Sequence, residues 1–141
     1  MKFDIKSIAL SETSTMVLRD GTGEKVTDKD GNEFSITVYG PSSKQYQKAK
    51  HGMEKRMSER TLAKMQGKQD GHQSWSDKLD ERATFLANCT KSFNGDFGPD
   101  DLSGHELFKA VYSDLDVIYI ADDVEKFISD KVNFTKPSKE G

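Results

Sequence analysis

The stretch FSITVYGPSSKQY, residues 34–46, changes its structural period midway, and the reading of the whole chain follows from that change. Phe34, Ile36 and Val38 alternate with Ser35, Thr37 and Tyr39, the period-2 pattern of a strand with one buried face. Gly40-Pro41 then stops the strand. Ser42 or Ser43 follows, and a serine hydroxyl accepts hydrogen bonds from the orphan amides of a helix start, so a helix begins here. In that helix Tyr46, Ala49, Met53 and Met57 recur at spacings of three and four, making one narrow apolar stripe. Lysines and arginines fill the rest of the circumference.

Upstream, residues 15–19 read as a second strand, and the connection to 33–39 holds Asp20-Gly21, Gly23 and Asp30-Gly31, all turn signals. The two strands form an antiparallel hairpin with a long polar tip. Residues 3–10 place Phe3, Ile5, Ile8 and Leu10 in partial alternation, a candidate third strand whose pairing is open. A sheet this small is marginal alone, so its apolar face must pack on helices.

Downstream, Gly52 weakens the middle of the basic helix by about 1 kcal/mol relative to alanine. Residues 67–73 read as a break, and the part from Thr61 onward is a candidate for ordering on binding. Ser74 and Asp77 have capping-box spacing ahead of a second helix, with Leu79, Ala83, Leu86, Thr90 and Phe93 on one face, widened by Phe85 and Cys89. Ser103 and Glu106 repeat the capping-box spacing before a short helix whose Leu107, Ala110 and Val111 face inward. Residues 114–116 break it and cap a last helix with the stripe Val117, Ile120, Ala121, Val124, Phe127 and Ile128. The expected fold is α+β and predominantly helical, a single domain over 1–134. Its hairpin region is 1–40, about four helices fill 42–134, and 135–141 is a disordered tail.

Charge is divided along the chain. Residues 44–68 carry Lys44, Lys48, Lys50, Lys55, Arg56, Arg60, Lys64 and Lys68 against Glu54 and Glu59, whereas residues 96–130 set ten acidic residues against Lys109 and Lys126. Opposite fields within one small domain favour docking, inside the chain or between copies of it. Lys55 and Arg56 against Asp122 and Asp123 are the candidate self-association residues of a homo-oligomer. The net charge of -3 over 141 residues argues against a dedicated nucleic-acid binder. With one cysteine, no intrachain disulfide forms, and a reducing, cytosolic setting is expected. No segment approaches the roughly 18 consecutive apolar residues of a membrane span.

Catalytic and metal motifs fail on inspection. Asp28, Asp30 and Asn32 imitate the start of a calcium loop, but Glu33 and Tyr39 stand where its glycine and bidentate glutamate belong, and the spacing suits a hairpin turn. Asp96-Phe97-Gly98 spells a kinase tripeptide without the rest of a kinase. His51, His72 and His105 lack the spacing that puts two imidazoles on one helical face. Cys89 reads as a packed apolar residue with no activating base. Asp122 and Asp123 point about 100° apart on a helix and do not converge on a substrate. No enzyme, cofactor or metal is expected. Methionine suits adaptable binding surfaces, so Tyr46, Ala49, Met53, Met57 and Met65 are the candidate partner-binding residues, with internal packing as the competing explanation.

Taken in order, FSITVYGPSSKQY at 34–46, FLANCTKSFN at 85–94, ELFKAVYSD at 106–114 and IADDVEKFISDKVNFTK at 120–136 resemble the tail assembly chaperones of long-tailed bacteriophages and prophages. The resemblance covers most of the chain except the basic helix after Met57 and the polar end. It implies a small host-cytoplasmic protein that coats the helical tape measure protein, promotes tail tube polymerisation and is left out of the virion. It also implies a tail tube partner reached through a frameshifted longer product. The alternatives are a minor structural or other morphogenesis protein of the tail, or a nucleic-acid-binding regulator using the basic helix.

Overall fold

The computed structural model describes residues 2–67 and 75–136. Among these, three strands and four α-helices form an α+β fold: β1 (Thr13–Val17), β2 (Ser35–Tyr39), α1 (Lys44–Met65), α2 (Trp75–Asn88), β3 (Thr90–Asn94), α3 (Gly104–Ser113) and α4 (Ile118–Ser129). The sheet is antiparallel in the order β1-β2-β3, so the strand at the head of the deciding segment lies in the middle. Its alternation holds: Ile36 and Val38 are fully buried and Phe34 is half-buried on the helix-facing side. The other side is a polar ladder. Thr15 and Thr37 share a hydroxyl bond of 2.9 Å, and Asn94 donates to Ser35 Oγ and Thr37 Oγ1 at 3.0 Å each.

The third strand is not where the sequence reading put it. Residues 3–10 do not pair; Asp4 accepts from the Lys6 amide and folds Ile5–Ile8 into a 3-10 turn. The third strand is Thr90–Asn94, expected as the end of the second helix because Leu86, Thr90 and Phe93 keep helical spacing. Thr90 and Phe93 are also good strand formers, and pairing with β2 decides between the two periods. The helix ends as the Thr90 hydroxyl bonds the Leu86 carbonyl at 2.8 Å. Lys91 is left over in the register between Thr37↔Ser92 and Val38↔Thr90, a bulge that directs its charge to solvent.

The polar tip is two similar tight turns in succession. In each, an aspartate accepts the amides two and four residues on, Asp20 from Thr22 and Glu24, and Asp28 from Asp30 and Asn32. Glycine three residues on takes positive φ, 89° at Gly23 and 85° at Gly31. The calcium-like aspartate is thus a turn residue. Hydrogen bonds from Thr22 at Asp20 and from Asn32 at Asp28 hold both carboxyls below the ordinary 3.8. A depressed folded value stabilises the folded form above the unfolded pKa and is lost as pH falls through the folded one. Both carboxyls are therefore expected to titrate below 3.8 in a carbon-detected NMR titration, and the tip to loosen only beneath that pH.

The strand-to-helix switch is built by Ser43, fully buried, which accepts the Tyr46 amide at 3.1 Å and donates to the Gly40 carbonyl at 2.7 Å. Ser42 instead reaches the Leu10 and Ser11 carbonyls. Helix α1 runs unbroken through Gly52 to Met65. Of the two expected capping boxes, Ser74 lies outside the described residues, and Ser103 makes no cap bond. Gly104 follows it with φ of 57°, a left-handed entry unlike the extended-to-helical step a capping side chain requires. Asp114 does cap, accepting the Asp116 amide ahead of a 3-10 turn that leads into α4.

The core lies between the sheet and helices α2, α3 and α4. The α4 stripe is buried or half-buried as expected. In α3 Leu107 is buried as expected, and Phe108 and Tyr112 join it, whereas the expected Ala110 and Val111 are half-buried. Phe93 from β3 packs against Phe97, Phe108 and Tyr112, and Phe34 meets Phe97 edge-on at 5.2 Å. The kinase-like tripeptide therefore supplies a core ring. After α4, Lys131–Phe134 turns back and inserts Phe134, fully buried, beside Gly40.

Candidate functional site

Helix α1 has 22 residues, so it spans about 33 Å, and its two halves have different surroundings. The proximal half packs. Ala49 is buried, Tyr46 lies edge-on to Phe85 with centroids 5.9 Å apart, and Met53 is half-buried. Tyr46 and Ala49 are thus held within the fold, a correction to their reading as partner contacts. A stripe of spacing three and four is equally what a helix presents to its own neighbour.

Farther along, the contact with α2 passes from apolar to ionic. Glu81, its side chain 10% exposed, accepts from Arg56 Nε at 2.7 Å and pairs with Arg60 at 3.7 Å. The bond to Glu81 holds the Arg56 guanidinium above its ordinary pKa against the opposing effect of burial. Because the arginines take over this face, Met57 turns out of it. Met57, Thr61, Met65 and Leu62 then sweep an arc of about 140° beside the α2 contact. Met57, Leu62 and Met65 are all more than half exposed. With Glu54 and Ser58 they line a shallow, open groove of about 420 Å³. Trp75, at the start of α2, is a further exposed apolar side chain.

Of the expected self-association residues, Arg56 is bound to Glu81, and Asp122 accepts from Arg82 of α2 at 2.5 Å. Lys109 of α3 pairs with Asp80 at 3.0 Å. Helix α2 therefore partly matches both charged stretches, Glu81 meeting the arginines of the basic one and Arg82 meeting Asp122 of the acidic one. Lys55 and Asp123 remain exposed.

Cys89 is fully buried where α2 passes into β3, and burial pushes its thiol up to about 12, so it packs rather than reacts. Tyr112 is likewise enclosed, its hydroxyl 2.7 Å from Thr90 Oγ1 and its pKa raised by burial. His51 is exposed, His105 meets Asn88 at 2.8 Å, and His72 lies outside the described residues. No helix among the described residues is long and apolar enough to cross a membrane. Sequence reasoning missed Leu62, which stands off the three-and-four stripe, and Glu81, which reads as an ordinary surface charge. No family model, curated protein or solved structure matches the chain.

Proposed function

We propose that this chain is a phage tail assembly chaperone, acting by binding rather than catalysis in the host cytoplasm. It holds the tape measure protein soluble until the tail tube polymerises around it. The supporting observation is the arc of Met57, Leu62 and Met65 on the distal half of α1, apolar side chains left in water beside a face anchored to the body. The sequence resemblance supplies the identity of the partner. A long helix with apolar stripes aggregates unless they are covered, and flexible methionines adapt to stripes of varying shape. The exposed Lys55 and Lys64 keep the remaining circumference of α1 charged in the complex.

Full burial of each apolar side chain contributes roughly 1.5–3 kcal/mol. The triple variant M57S/L62S/M65S should therefore keep the wild-type circular dichroism spectrum and melting temperature, yet fail to hold a co-expressed tape measure protein in solution. Solubilisation equal to wild type by that folded variant sinks the proposal for this face.

A further inference from the structure

A second apolar surface is separate from the α1 arc. Phe3, Ile5 and Ile8 are 70%, 71% and 67% exposed, although the segment that carries them has a defined shape. Ser7 Oγ donates to the Asp4 carbonyl at 2.7 Å, and Asp4 takes the Lys6 amide, so the turn carries Phe3 and Ile5 between Lys2 and Lys6, with Ile8 just beyond. This arm joins the sheet at Ser11, whose amide donates to the Phe134 carbonyl at 2.7 Å. Beyond the other end of β1, about 17 Å along the strand, opens a groove of about 400 Å³. Leu18, Phe97, Pro99, Val111, Val117 and Ile120 line it, together with Asp114. The segments that supply Phe97, Pro99 and Val117 also carry Asp96, Asp100, Asp101 and Asp116, all exposed. The groove is apolar inside with Asp114 in its wall, and the exposed carboxylates next in sequence to its lining residues make its surroundings acidic; the arm is apolar with basic flanks.

We infer that the arm of one copy seats in the groove of a second copy, with Phe3 and Ile5 inside and Lys2 and Lys6 over its acidic surroundings. The occupant is a second copy because the complementary charge and apolar surface belong to this same chain, while the arm stands exposed in its own subunit. Arm and groove are different patches at opposite ends of β1, so the contact is heterologous and each added copy offers a fresh groove or arm. The products are short head-to-tail chains. This association involves no coated partner and neither α1 nor its arc, so its failure and that of the chaperone proposal are separate results.

Sedimentation velocity on the full chain, over a range of concentration and salt, tests it. Wild type should form concentration-dependent oligomers that shrink as salt screens these charges. F3S/I5S should weaken association about 100-fold or more, and D100K/D101K about tenfold or more; all four side chains are exposed, so both variants should fold. The decisive sample is the mixture, at a concentration where neither variant associates alone. F3S/I5S retains its groove and D100K/D101K its arm, so the mixture should give heterodimers and nothing larger. Wild type that stays monomeric, F3S/I5S that assembles like wild type, or a mixture that remains monomeric or grows beyond dimers would each overturn the inference.

Discussion

Gly40→Ala is expected to destabilise the protein by about 3 kcal/mol, the upper end of overpacking costs, although it adds a single methyl group. A Cβ at this position overlaps three carbons of the Phe134 ring. Neither partner can step aside. Phe134 is fully buried with Phe127 edge-on at 5.9 Å, and its carbonyl accepts the Ser11 amide. Gly40 donates its amide to the Glu12 carbonyl at 2.8 Å, and its own carbonyl anchors the capping Ser43. Phe134→Ala creates the opposite defect, a cavity expected to cost about 3–5 kcal/mol. Because the two residues share one space, the double variant should be less destabilised than the sum of the singles. Urea unfolding of the four proteins measures this coupling. A Gly40→Ala protein within about 0.5 kcal/mol of wild type, the range of surface changes that touch nothing, would show that the ring is not seated there.

Glu81→Ala should cost about 2 kcal/mol and act on function through the position of α1. Removing one partner of a fully buried ion pair costs roughly 3–5 kcal/mol, because the other charge is left uncompensated. Here the side chains of Arg56 and Arg60 are 35% and 30% exposed, so water screens part of that penalty. Two guanidiniums four residues apart on α1 are then left side by side against α2 with no carboxylate between them. Glu81→Gln keeps an acceptor oxygen and should lose about half as much, about 1 kcal/mol, as a neutral hydrogen bond replaces a charged one. Melting curves separate these values. In Glu81→Ala, faster amide exchange across residues 53–65 of α1 than across α4 should report the freed helix, and uniform exchange would place the damage elsewhere.

How much of this was legible in the sequence depends on how local the deciding physics is. The passage from β2 to α1 was readable because alternation, Gly40-Pro41 and a capping serine all act within a dozen residues, and Ser43 does cap the helix. The α4 stripe was readable for the same reason. Thr90–Asn94 was not, since its residues fit helical spacing as well as a strand, and only pairing with β2, some 55 residues earlier, decides between them. Residues 3–10 misled in the opposite sense: partial alternation suggested a strand, and Asp4 makes a turn. At the candidate site, the three-and-four rule found Met57 and Met65 on exposed surface but grouped them with Tyr46 and Ala49, which face α2. The rule could not show where the α2 contact ends, because that point is set by Glu81 on another helix.

The measurement that bears most directly on the central claim is native mass spectrometry of what this chain forms when co-expressed with the proposed partner, a phage tape measure protein. The account predicts many copies of this chain on each tape measure molecule, with the tape measure soluble only in their presence. A tape measure protein that stays insoluble, or that carries a single copy, would contradict it.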